Sequence, residues 1–279
     1  MIDTTIFFVV ALVASALGGM LGMAGGIFVV PVLTIFLGVP IRIAIGASLV
    51  SVIACSCASA APYLRAGLTN LRLAVVLETA TALGAVTGVL LTGAVPLPVL
   101  FALFAAILLI SAYQMRARRV DVVALPTTGR DPLRLAGRFR DPSGREVTYH
   151  VHRLPLGLGL MYGAGLISAL LGIGSGVLKI PAMDGALRLP IKVSSATSNL
   201  MIGVTACAST GVYFLRGDIV EAVAGPIALG SVLGALLGAR VLMAISSERI
   251  RLVFVLVLVA LAGFMVLGAA GIDVVRGAG

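Results

Sequence analysis

Gly18-Gly-Met-Leu-Gly-Met-Ala-Gly-Gly-Ile-Phe-Val-Val-Pro31 breaks a long apolar run with glycine, and a counterpart, Ile167-Ser-Ala-Leu-Leu-Gly-Ile-Gly-Ser-Gly-Val-Leu-Lys-Ile-Pro181, breaks another. The two stretches match at a fixed offset of 150 positions: Gly22 falls on Gly172, Gly26 on Gly176 and Pro31 on Pro181. The run around the first break, 5–37, has 33 residues. As one helix it would be about 50 Å long, where a hydrocarbon core of about 30 Å needs roughly 20 residues. It is therefore expected to form a half-helix, a short non-helical piece at Gly22, Gly25 and Gly26, and a second half-helix ending at Gly38-Val39-Pro40. Glycine-interrupted apolar segments at corresponding places in two halves mark a binding site near the bilayer midplane.

Outward from the breaks the offset persists. Pro40-Ile41-Arg42 matches Pro190-Ile191-Lys192, Ser48 matches Ser198, and Cys57-Ala58-Ser59 matches Cys207-Ala208-Ser209. Tyr63, Gly67, Gly84 and Gly88 find Tyr213, Gly217, Gly234 and Gly238. Shared apolar composition does not hold one register over such a length, so the chain is a duplication. The first half continues with apolar spans at 43–64, 71–95 and 97–115; the second repeats the pattern at 154–187, 191–215, 219–245 and 250–267.

Of the 279 residues 60% are hydrophobic and 11% charged, and the mean hydropathy is +1.16. These values describe an integral membrane protein, and continuous apolar runs, rather than alternating ones, make it helical. Between the halves, 116–153 holds nine Arg against Asp121, Asp131, Asp141 and Glu146, a balance of +5. Within this loop Asp141-Pro142-Ser143-Gly144 is a turn signal, and 137–152 is expected to form a small hairpin. The chain thus divides into a transmembrane repeat at 1–115, a basic loop at 116–153 and a second transmembrane repeat at 154–279.

The net charge of +9 sits in loops, where it sets topology rather than binding nucleic acid. Met1-Ile2-Asp3 lacks a basic start, and cleavage near Ala14-Ser15-Ala16 would remove a segment that the second half keeps, so residues 1–25 are read as mature protein. Cys55, Cys57 and Cys207 make neither a disulfide framework nor a metal spacing, and no cofactor or metal is expected.

If each broken segment dips into the bilayer and returns, the halves are inverted. Fifteen loop cations then share a side with the basic loop, against Arg42, Arg216 and Arg276 on the other. If the broken segments span instead, the halves are parallel and the division is thirteen to five. The positive-inside rule favours inversion and puts the large loop in the cytoplasm in both cases. The expected fold is an all-α polytopic membrane protein of two inverted repeats, each a glycine-broken re-entrant hairpin plus three transmembrane helices.

In such hairpins the second half-helices start at Gly25-Gly26 and at Gly174-Ser175-Gly176, with their N-termini converging. Unpaired N–H groups and the helix dipole make each terminus an anion site. Lys179 lies in the first turn of the second, where a bound anion would offset the cost of its charge; snorkelling to an interface is the other reading. Ser48 and Ser51 in one half, and Thr197, Ser198 and Asn199 in the other, offer hydroxyl and amide donors, or simply join helices. Cys57 and Cys207, as aligned mates, border the same cavity or fill the core. Gly84-x-x-x-Gly88 and Gly234-x-x-x-Gly238 read as packing seams. Glu78 and Arg240 are placed to pair, with proton coupling an alternative role for Glu78.

The order and duplication of these motifs resemble the TauE/SafE-type sulfite exporters, also called the toluene sulfonate uptake permease family. The resemblance rests on the glycine-rich break before Pro31 and Pro181, on 44–48 with its mate 194–198, on Tyr63 to Gly67 and Tyr213 to Gly217, and on Gly234-Ala-Leu-Leu-Gly238-Ala-Arg240. Ala47 departs from the threonine usual in the family, and Gly25 differs from its mate Ser175. The resemblance implies alternating-access export of a small sulfur-containing or organic anion, such as sulfite, sulfoacetate or a related sulfonate. It implies a multi-pass protein of the bacterial inner membrane that is not an enzyme, with a homodimer left open. A passive anion channel and a thiol-dependent intramembrane enzyme using Cys57 and Cys207 are the alternatives; the spans contain no His to activate a thiol.

Overall fold

A computed structural model describes residues 4–21, 25–116, 135–140, 146–242 and 247–269. Both long apolar runs are broken at their glycines: α1 (Thr4–Leu21) gives way to α2 (Gly26–Ile35), and α6 (Leu154–Leu171) to α7 (Gly176–Gly185). Gly22 lies outside the described residues. Its mate Gly172 ends α6 with φ +65°, and Gly174 follows at +68°, a left-handed backbone that costs glycine nothing.

The limbs are not the expected half-helices. With 18 residues each, α1 and α6 are about 27 Å long, while α2 and α7 have 10 residues each and reach about 15 Å. The unevenness has a local cause: Gly157, Gly159, Gly163 and Gly165 stay helical, since a glycine inside a helix costs only about 1 kcal/mol, and the left-handed turn begins at Gly172.

Three longer helices follow each broken pair: α3 (Ile41–Arg65), α4 (Leu71–Leu91) and α5 (Leu97–Arg116) in the first half, α8 (Ile191–Leu215), α9 (Glu221–Leu242) and α10 (Ser247–Ala269) in the second. Six of the described helices are long and apolar enough to cross a membrane. The chain is an all-α polytopic membrane protein. Along α4, Leu71, Val75, Leu83 and Leu90 stay exposed while Leu73, Leu77, Thr81 and Gly84 are buried, which separates a lipid-facing side from a protein-facing one.

The duplication extends to backbone turns. Gly67 and Gly217 both have positive φ, and the turn after α2 uses Gly38 at +63° where the turn after α7 holds Arg188 at +54°. Arg188 keeps the turn of its mate despite the cost of a Cβ there, about 1–2 kcal/mol.

Packing also repeats, with partners exchanged between the halves. α1 lies on α9 and α4 on α6, the two most extensive contacts. A Cβ on Gly84 or Gly88 would strike the carbonyls of Tyr162 or Leu166, and one on Gly234 or Gly238 those of Leu12 or Ala16. The glycine pairs are packing seams, as expected. Along each seam a step of four residues on one helix meets a step of four on the other, so both pairs run parallel. α4 and α8 are parallel too: Asn70 N–H reaches Thr197 Oγ1 at 3.2 Å, and eight residues further on each helix Glu78 meets Thr205. α3 and α8, mates in the alignment, run antiparallel: Gly46 lies against Asp218, whereas Ser56 bonds Asn199 and Gly203.

One end of the bundle carries a β-hairpin. β1 (Gly137–Arg140) pairs antiparallel with β2 (Glu146–Tyr149), with Gly137 opposite Tyr149; the turn at Asp141-Pro142-Ser143-Gly144 lies outside the described residues. Leu135 and Tyr149 are buried with Leu73, Leu77, Met183 and Leu187 in a second apolar core. Asn70 fastens the hairpin. Its Oδ1 caps α4 by accepting from Leu73 N–H at 3.1 Å, while its Nδ2 donates to the Leu135 carbonyl at 2.9 Å and to Tyr149 Oη at 3.0 Å. Burial pushes the Tyr149 phenol above its ordinary pKa, against the hydrogen bond from Asn70. At this same end His152 N–H donates to the Leu187 carbonyl at 3.1 Å, so the path through α6 and α7 returns to where it began.

Candidate functional site

The two breaks meet on α3. Ser48 Oγ lies 2.7 Å from the Gly172 carbonyl oxygen and 3.4 Å from that of Gly26, tying the end of α6 to the start of α2. A Cβ on Gly26 would collide with Ser48, Val52 and the Gly172 carbonyl, and one on Gly174 would press on Val52 and Ile202. Val52 therefore sits between the breaks, touched from both sides. Only residues without a side chain let the two interruptions close on one another here. Gly25 is packed as tightly against Ser15.

Ser175 is the N-cap residue of α7, yet its side chain makes no capping bond. Its carbonyl accepts from Leu178 and Lys179 N–H, which leaves the N–H groups of Gly176 and Val177 beyond the reach of any helical carbonyl. Ser175 Oγ, Ser198 Oγ and Asn199 Nδ2 are buried with no hydrogen-bond partner. Ser198 shares an α8 face with Ile202, the residue that touches Gly174, and Asn199 lies one turn before it. An unpaired buried polar group costs about 1–3 kcal/mol, so each of these three carries a cost that a partner would relieve. The helix dipole adds the equivalent of about half a positive charge.

Lys179 is fully buried and neither snorkels nor stands unpaired. Its Nζ donates to Glu78 Oε2 at 3.0 Å and to Thr205 Oγ1 at 2.6 Å, and Thr205 Oγ1 is 2.6 Å from Glu78 Oε1. The three form a closed ring joining α7, α4 and α8. The premise of an unpaired ammonium therefore gives way to an ion pair, and the carboxylate partner is Glu78; the side chain of Arg240 lies outside the described residues. Two opposite charges in otherwise apolar spans were the available signal, since such groups pair with one another.

Other candidate residues lie away from the junction. Ser51 Oγ bonds Ser231 Oγ at 2.6 Å and joins α3 to α9, and Thr197 accepts from Asn70 N–H near the hairpin. Cys57 and Cys207 are exposed, whereas Cys55 is buried near Gly25. Ser56, unremarked in the sequence, locks α3 to α8 by donating to the Asn199 carbonyl and accepting from Gly203 N–H at 3.0 Å.

The profile of the sulfite exporter TauE/SafE family matches residues 7–265. The chain belongs to the TauE/SafE family. This TauE/SafE chain is 25% identical over 264 residues to the Bacillus subtilis protein named "Probable membrane transporter protein YunE", covering 91% of this chain and 94% of that one. It is 25% identical over 222 residues to the protein of the same organism named "Probable membrane transporter protein YdhB", covering 80% and 83%. No solved structure matches it significantly. Membership and these relatives make the protein a membrane transporter, in agreement with its multi-pass helical architecture.

Proposed function

We propose that this transporter moves a small sulfur-containing or organic anion, such as sulfite, sulfoacetate or a related sulfonate, outward across the bacterial inner membrane by alternating access. The observation that carries the reading is the junction itself: two interruptions closed on one another at Ser48, with buried, unpartnered Ser175 Oγ at the start of α7 and Ser198 Oγ and Asn199 Nδ2 on α8. The backbone N–H groups at Gly25, Gly26, Gly174 and Gly176 are the proposed anion contacts, and hydroxyl and amide donors suit sulfonate oxygens. The family description, sulfite exporter, supplies the substrate class.

The same reading makes 1–115 and 154–279 inverted repeats around the basic loop 116–153, with that loop in the cytoplasm. Support comes from the antiparallel run of the mates α3 and α8, from the return of α6–α7 to its starting end, and from the concentration of loop Arg beside the hairpin. A cell interior that is electrically negative favours anion exit by about 2.3 kcal/mol per charge per 100 mV.

The test is efflux from proteoliposomes with a panel of sulfite, sulfoacetate, sulfolactate, taurine and simple carboxylates. Saturable efflux of one anion class is expected, and Ser175→Ala and Asn199→Ala should each weaken apparent affinity about 10-fold or more, the worth of one hydrogen bond to a charged group. Unchanged affinity in both variants would remove the junction from the transport path, and unitary currents in place of saturable flux would make the protein a channel.

A further inference from the structure

We infer that Glu78 is a proton-binding site that couples anion occupancy to proton uptake: a proton on Glu78 frees Lys179 to serve the anion at the start of α7. The inference rests on the anion site proposed above and adds a ligand, the proton, and a residue to hold it.

The ring of Lys179, Glu78 and Thr205 is neutral as it stands. An anion entering beside it would leave one uncompensated negative charge in a medium where charge is costly, and uptake of one proton cancels it. Chemistry assigns the proton to Glu78. Lys179 already carries its proton in the ion pair and Thr205 is a hydroxyl, so the Glu78 carboxylate is the member of the ring that can accept one. Its side chain is 11% exposed, toward an apolar cavity on the lipid-facing side between α4 and α8. The Cβ of a helical residue leans toward the helix N-terminus, so Lys179, one turn into α7, is directed back over Gly176 when its carboxylate partner is neutralised.

The charges around Glu78 are few. From α7 it faces Lys179, and from α8 the Thr205 hydroxyl. On α4 the preceding charge is Arg72, exposed in the first turn. α6, packed along another side of α4, carries no charged residue, and its Tyr162 donates to Thr87. The ring also departs from the duplication. The mates of Glu78, Thr205 and Lys179 are Ala228, Cys55 and Val29, so ordinary packing at this position needs no charge. The ring bridges the two halves at one of two equivalent places and marks a function that the other place lacks.

The experiment uses the purified full-length protein in weakly buffered detergent solution with methanesulfonate as probe, a monoanion whose charge does not change between pH 6 and 8. Wild type should take up about one proton per anion bound, and its dissociation constant should rise about tenfold per pH unit above the titration of Glu78. Glu78→Gln should bind with no proton uptake and no pH dependence, and should gain more thermal stability from the anion than wild type does. Infrared difference spectra of wild type, which need no variant, should show a protonated carboxyl band appearing with the anion. Binding without proton uptake and without that band overturns this inference and leaves the anion site standing. Failure of methanesulfonate and every anion of the panel to bind overturns the anion site, and the inference with it.

Discussion

A lysine with no accessible surface must find its counter-charge inside the protein, and here Lys179 finds Glu78 at 3.0 Å with Thr205 closing the ring. The pair joins the two halves of the duplication across 101 positions of sequence. Truncating one partner strands the other. Lys179→Met is therefore expected to destabilise the protein by about 3–5 kcal/mol, and adding Glu78→Met should restore most of the loss, because a well-packed apolar pair replaces a buried ion pair at little cost. Thermal unfolding of both variants in detergent measures the difference. Equal melting temperatures for single and double variants would mean that the two charges do not depend on each other. At this scale the sequence was only partly legible. It offered the charges but not which would meet, since that depends on how α4 packs on α8, and Arg240 was an equally placed candidate.

At the scale of elements, the breaks were legible because an apolar run of 33 residues is too long for one crossing and holds glycines at its centre. Their positions within the hairpins were not, because a glycine within a helix and a glycine that ends one look alike in sequence; only the left-handed φ of Gly172 separates them. The seams illustrate the same point. Gly84 and Gly234 are pressed against carbonyls of α6 and α1, whereas Gly159 has open space around it. Gly84→Ala and Gly234→Ala should each cost about 1–3 kcal/mol, the range for overpacking, while Gly159→Ala should be neutral or slightly stabilising. Melting temperatures of the three variants check this, and a mild Gly84→Ala beside a severe Gly234→Ala would break the equivalence of the seams.

At the scale of the whole molecule, duplication was legible through the constant offset of 150, and the basic loop through its abrupt change in composition. The docking of the hairpin was not, because Asn70 has no mate that would advertise it: position 220 is Val. Topology can be read with membrane-impermeant thiol reagents in a background where Cys55, Cys57 and Cys207 are replaced. Arg138→Cys and Gly185→Cys should label from the cytoplasm and Ala94→Cys from the opposite side. Labelling of position 185 from the side of position 94 would make α6 and α7 a spanning pair and end the inverted reading.

Among the described residues, the clasp between Asn70, Leu135 and Tyr149 is found at one end alone. A machine assembled from two interchangeable halves would rest without preference between its outward and inward postures. In the proposed alternating-access cycle, fastening at this end makes those postures unequal in free energy, and the resting protein favours the posture in which the clasp is intact. In that cycle, any posture that parts Asn70 from the hairpin is reached only when something else supplies the work of separating them.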